Sequence, residues 1–206
     1  MKLRFITVVA LLISVTPVFP QELLVQPYPE SAPGITFPRL MGGLRRGEVT
    51  DYEKKQKGLG IGIRYYDAEN QIKADVYIYN LGLTAIPDGI ESRELVGVFE
   101  QARREVHDME KSGSYQSVKK LSEDVASFGH FASAPRALRA YFSFTQDGTD
   151  RFSHIYLTAY KNLFLKIRFT YPKEQKANSE KFLAEFLEEM GKLLVNEDKL
   201  RSLTAF

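Results

Sequence analysis

Between Leu138 and Tyr171 the chain alternates apolar and polar residues through three consecutive runs, LRAYFSFT, RFSHIYLTAY and LFLKIRFTY. Period-two alternation marks half-buried strands, because successive side chains point to opposite faces of a sheet. The connectors, QDGTD and Lys161-Asn162, are short enough to make the runs a three-stranded antiparallel meander. Asp147-Gly148 marks the first turn, since glycine accepts the positive φ that a tight hairpin requires. Leu138, Ala140, Phe142 and Phe144 share one side of the first strand. Ile155, Leu157 and Ala159 do the same on the second, and Leu163, Leu165, Ile167 and Phe169 on the third. Grouped together, these residues make one apolar face. The opposite side then carries Arg139, Tyr141, Ser143, His154, Tyr156, Thr158, Tyr160, Lys166 and Arg168.

Further strands precede the meander. LRRGEVTDYE reads as a strand from Leu44 to Tyr52, and the segment after KKQKG as one that places Ile61, Ile63 and Tyr65 on one face. Ile72 to Asn80 opposes Ala74, Val76 and Ile78 to Asp75, Tyr77 and Tyr79. Ile35-Thr36-Phe37 is expected as a short edge strand, because the surrounding prolines confine it to an edge. Ser92 is a good N-cap for a helix over Arg93 to Lys111, whose stripe is Leu95, Phe99, Ala102, Val106 and Met109. Gly113 suits the left-handed residue that closes such a helix. Tyr115 to Leu121 is predicted as a strand and Ser127 to Arg136 as a loop. Ser179 to Val195 forms a second amphipathic helix through Phe182, Phe186, Met190 and Leu193. Strands in hairpin runs predict an α+β domain. Its mainly antiparallel sheet of about six or seven strands packs its apolar face against both amphipathic helices.

Met1-Lys2-Leu3-Arg4 followed by FITVVALLISV is a basic n-region and an apolar h-region, the pattern of a secretory signal peptide over residues 1–20. The apolar run is about half the ~20 residues a membrane-spanning helix needs, so no transmembrane helix is expected in the mature chain. A single domain over residues 21–206 follows. The expected location is periplasmic or secreted. The chain has 0 Cys, which excludes disulfides, thiol catalysis, lipobox attachment and cysteine-ligated zinc. Loss of Lys2 and Arg4 takes 28 basic residues to 26, equal to the 26 acidic ones. A neutral chain lacks the basic footprint of phosphate-backbone binding, so nucleic acid is not an expected partner.

No catalytic signature appears. Gly58-Leu59-Gly60-Ile61-Gly62 runs into a strand, whereas a phosphate loop must open a helix. His107, His130 and His154 show no metal-ligand spacing, and there is no G-x-S-x-G elbow. Neither a metal nor a cofactor is implied. The constellation that points to binding is the polar side of the sheet. There Tyr141, Tyr156 and Tyr160 stand with Arg139, Lys166 and Arg168, and Tyr66, Tyr77, Tyr79 and Arg64 join them if all strands share one sheet. Tyrosine offers wide contact area and a hydroxyl at little entropic cost, which suits recognition. Cross-strand tyrosine pairs that only brace the sheet are the competing account.

The runs F-P-R-L-M-G-G-L-R-R-G-E-V-T-D-Y-E (Phe37 to Glu53) and V-Y-I-Y-N-L-G-L…I-P-D-G-I (Val76 to Ile90) resemble an uncharacterised family of secreted Gram-negative bacterial proteins. That resemblance implies an envelope location and no activity. The order of elements is similar to PsbP-like domains, which serve mostly as accessory or assembly factors. This second likeness is one of architecture, with no shared motif, so it bears on function by analogy only. The expectation is an exported soluble binding or accessory module with a protein partner in the envelope. Two alternatives stand beside it. One is a hydrolase or other enzyme with a site built from dispersed residues such as His154, Asp75 and Tyr141. The other is a carrier of a small apolar ligand held between sheet and helices.

Overall fold

The computed structural model describes residues 35–204, with side chains described as far as Val195. The signal-peptide expectation for residues 1–20 therefore lies outside the described residues. The strands are β1 (Leu40–Met41), β2 (Leu44–Asp51), β3 (Ile61–Asp67), β4 (Ile72–Tyr79), β5 (Gln116–Ser127), β6 (Arg136–Gln146), β7 (Thr149–Tyr160) and β8 (Leu163–Pro172). The helices are α1 (Arg93–Lys111) and α2 (Lys176–Thr204), the latter entered through a single 3-10 turn at Lys173–Gln175. The class is α+β, with one antiparallel sheet of 8 strands in the order β1-β2-β3-β4-β8-β7-β6-β5. Two meanders, β1–β4 and β5–β8, are thus joined side by side through β4 and β8. No described helix is long and apolar enough to cross a membrane.

Several expectations shift at their edges. Ile35-Thr36-Phe37 is not a strand, and the edge is instead the two-residue β1. β5 runs on to Ser127, well past Leu121, because two irregularities in its pairing with β6 interrupt the alternation that would have revealed it. Ser117 takes a left-handed φ of 54° at the first of these. α2 begins at Lys176 and extends to Thr204, beyond the Ser179–Val195 span. α1 has the predicted bounds, with the Ser92 hydroxyl accepting from the Leu95 amide at 3.1 Å.

The larger correction concerns faces. The β6–β7 and β7–β8 turns each contain two residues in left-handed conformation, Asp147-Gly148 and Lys161-Asn162. A two-residue turn sets its flanking residues opposite each other, on the same face. Tyr160 therefore pairs with Leu163, Tyr156 with Ile167 and Leu157 with Lys166. The apolar set of β8 lies with the tyrosines of β7, not with Leu157 and Ile155. The sheet is consequently apolar on both sides, and the helices cover opposite faces. Leu95, Phe99, Ala102 and Val106 of α1 pack on Phe142, Phe144, Ile155 and Leu157. Leu183, Phe186, Leu187 and Met190 of α2 pack on Ile63, Val76, Ile167 and Phe169. α2 lies so close to the segment after β5 that a Cβ on Gly191 would overlap the Phe128 carbonyl oxygen.

Candidate functional site

On the α1 face, a row of side chains crosses the sheet from Arg64 (β3) through Asp75 (β4) to Arg168 (β8), each strand contributing its register partner. Asp75 is buried and accepts from Arg64 Nε at 2.8 Å, with Lys73 Nζ 3.3 Å away. Arg168 donates to the Tyr115 hydroxyl at 3.0 Å and to Ser153 Oγ at 3.3 Å, and lies over the Tyr115 and Phe144 rings. It is tied down as a bridge beneath α1. The adjoining row places Lys166 opposite Tyr77, with Tyr79 two residues on.

Above that second row α1 stands off the sheet and leaves a cleft of ≈ 240 Å³. Tyr77, Tyr79 and Lys166 form its floor, Val98, Gln101 and Glu105 its helical wall. Tyr52, Leu59 and Leu81 supply the lip. The lip holds its shape because the β2–β3 connection is pinned by its own glutamate. Glu53 accepts from the Gly58 and Gly60 amides at 2.9 Å. A Cβ at Gly60, where φ is +64°, would overlap the Ile78 carbonyl oxygen, so the glycine permits close approach to β4. The glycine-rich run is therefore a strand entry whose amides are already occupied.

Lys166 Nζ sits 4.9 Å from the centre of the Tyr77 ring, 5.8 Å from that of Tyr79 and 3.5 Å from Glu105 Oε2. Ring faces carry negative charge density, so the two tyrosines and Glu105 together hold an ammonium in an apolar setting. Burial pulls the Lys166 pKa down, and Glu105 opposes that shift. Burial also pushes the Tyr77 phenol up to about 12, and Tyr79 upward as well. Both phenols thus remain neutral hydrogen-bonding groups near neutral pH. The hollow is largely apolar with a cation at its base, the make-up of a small-molecule pocket.

The six residues expected to form one binding face divide between two. Lys166 and Arg168 belong to the α1 side, while Tyr141, Tyr156, Tyr160 and Arg139 belong to the α2 side. No single surface contains both sets, because the two-residue Lys161-Asn162 turn inverts the pattern of β8 relative to that assumed. Tyr66, Tyr77, Tyr79 and Arg64 stand with the α1 set. On the α2 side Tyr156 is 2% exposed, and Tyr160 donates to the Leu194 carbonyl at 2.8 Å, so this part of the tyrosine face lies beneath α2. Arg139 makes a two-pronged pair with Asp124 at 2.7 and 2.5 Å. His154 and Tyr141 stack at 4.1 Å on this side, whereas Asp75 lies on the other, so the dispersed trio of the enzyme alternative does not converge. Among the described residues no three His, Asp or Glu side chains gather as a metal set.

Sequence reasoning placed Tyr77, Tyr79 and Lys166 on one polar side of the sheet but expected no cleft there, and it missed the helical wall. A signal for the wall was present: Val98, Gln101 and Glu105 recur at spacings of three and four, one flank of the α1 stripe. Neither the models of known protein families nor the curated proteins include a match to this sequence.

Proposed function

We propose that this protein is an exported, non-catalytic binding module of the bacterial envelope, and that the cleft under α1 is its ligand site. The ligand class is a small, mainly apolar molecule bearing one anionic group. The observation behind this reading is Lys166, an ammonium held between two tyrosine rings at the base of an apolar hollow. An anion entering the hollow exchanges places with Glu105, whose side chain is 52% exposed and free to swing into water, while Lys166, at 20%, stays in place. The cleft falls below the ~300–1,000 Å³ typical of sites for drug-sized ligands, which favours a compact aryl or short alkyl carboxylate. This is the carrier alternative given a polar anchor.

Titration calorimetry with a panel of aryl and short alkyl carboxylates tests the site. Lys166→Met removes a charge-assisted hydrogen bond, an interaction of about 1.5–3 kcal/mol, so affinity falls at least tenfold. Glu105→Gln removes the internal competitor and raises affinity. Binding that is absent across the panel, or indifferent to Lys166→Met, rejects the assignment.

Export is tested separately. Mass spectrometry of the protein from its native host is expected to find a new amino terminus between Pro17 and Glu22. Recovery of intact Met1 in a cytosolic fraction would rule the reading out.

A further inference from the structure

The two edges of the sheet are unequal. One is the two-residue β1 with the part of β2 it leaves uncovered, where the register against β3 shifts between Arg46 and Val49, and the other is the twelve-residue β5. Among the described residues no strand lies outside β5; the Val118 amide donates to Glu110 Oε1 at 2.8 Å, and the edge beyond it is a site for strand addition. Leu121 and Val125 on this edge are 47% and 46% exposed.

The sequence at the middle of β5 is Val118-Lys119-Lys120-Leu121-Ser122-Glu123-Asp124-Val125. Read against itself in the antiparallel direction, it sets Lys119 opposite Asp124, Lys120 opposite Glu123 and Val118 opposite Val125. In an uninterrupted strand residues 119 and 124 would point to opposite faces, and that pairing would fail. The irregularity between Lys120 and Ser122 repairs it. Lys119 pairs with Ser143 and Asp124 with Arg139, two residues of one face of β6. Lys120 pairs with Phe142 and Glu123 with Ala140, two residues of the other. The bulge thus brings each lysine onto the same face as its complementary acid. Sliding the register by one residue either way keeps a single lysine–acid pair, Lys119 with Glu123 or Lys120 with Asp124, and those partners lie on opposite faces of β5.

We propose that β5 pairs antiparallel with β5 of a second copy of this chain, joining two sheets about a two-fold axis near Leu121 and Ser122. Cross-strand side chains in such a pair stand about 5 Å apart, within reach of lysine and carboxylate. Within one copy Glu123 already meets Lys120 at 2.7 Å and Arg103 at 2.5 Å, and Asp124 meets Arg139. The second copy adds its lysines to these acids and forms alternating charge clusters on both faces of the joint. Paired lysines and a bulge are also the means by which edges repel foreign strands. Here the same devices admit the one strand that carries acids at the matching positions.

A single strand pair buries less than the ~1,200 Å² of a standard interface, so the association is weak and depends on concentration. Sedimentation equilibrium of the whole chain is expected to show the apparent mass rising toward twice the monomer value, and falling back as salt goes from 0.1 M to 1 M. K119E/K120E and E123K/D124K chains are each monomeric alone. Their equimolar mixture regains the doubled mass, because every cross-strand pair becomes opposite in sign again. If E123K/D124K loses its native circular dichroism, since Arg103 and Arg139 lose their partners, K119E/K120E and the salt series decide the matter. A wild-type chain that stays monomeric at every concentration overturns the proposal and leaves the edge to a strand from another protein. So does a dimer that K119E/K120E leaves intact.

Discussion

Phe142→Ala is expected to lower the stability of the fold by about 3–5 kcal/mol, the range for truncating a buried phenylalanine and leaving a cavity. Phe142 is fully buried on the α1 face, in the cluster that holds Phe99, with the His107 ring edge-on at 6.0 Å. The sheet around it is rigidly paired on both sides, so the hole has little room to collapse. The midpoint of urea unfolding reads the loss, with an unchanged slope showing that the native state is otherwise intact. Phe186→Ala, in the other cluster, provides the control for the two-sided architecture. Sites more than ~7–10 Å apart with no shared partners give additive losses, so the double variant loses the sum of the two. A loss below about 1 kcal/mol at Phe142, typical of exposed positions, would contradict its burial under α1.

Acidification destabilises the protein through His154. The imidazole is 5% exposed, stacked against Tyr141 at 4.1 Å, with Nε2 3.2 Å from the Tyr171 hydroxyl. Nδ1 has no hydrogen-bond partner among the described residues. Burial pushes its pKa down to about 3, with Arg139 and Lys176 adding to the shift and Asp124 opposing it. Free histidine titrates near 6.5, so between about pH 6.5 and 3 the unfolded chain binds a proton that the folded chain refuses. Stability is therefore full above pH 6.5 and falls as pH drops through that window, by about 4 kcal/mol at its lower end. His154→Phe keeps a flat ring in the stack and cannot titrate. It shifts stability by an offset from the lost Tyr171 contact that does not vary with pH. The quantity to measure is the difference in unfolding free energy between wild type and variant, since neighbouring groups such as Asp124, Glu180 and Lys176 are common to both. A difference that is constant from pH 3 to 7 would show that His154 accepts its proton in the folded state.

The elements that sequence analysis located most closely are those whose signals are local. α1 is bounded by a serine cap and a glycine at its end, both readable within a few residues, and its limits were found without error. The β6–β7 turn was read correctly because Asp-Gly is a local preference for positive φ. β5 was cut short because its two irregularities erase the period of two on which recognition depends. The faces were misassigned for a different reason. Alternation says which residues of one strand share a side, and nothing about which side of the next strand faces the same way. In β8 both sides become buried, Leu165 and Ile167 under α2 and Phe164 near α1, so neither is marked as solvent-facing. The Lys161-Asn162 turn held the missing parity, since its length alone decides which residues meet.

By itself, then, the amino-acid sequence determined what depends on neighbours along the chain: helix stripes and caps, the strand period, the hairpin turns and an α+β class. Tertiary structure alone decided that α1 and α2 lie on opposite faces, that Tyr156 and Arg168 are separated by the sheet, and that Glu105 closes over Lys166. The separation of Tyr156 from Arg168 is set within the β7–β8 hairpin, whereas the joining of the two meanders, which carries Tyr77 and Tyr79 to Lys166, rests on the pairing of β4 with β8 that sets Val76 against Ile167. The residues that pair lie roughly ninety positions apart, and a contact of that span is chosen by the shape and apolar area of whole surfaces rather than by any local conformational preference.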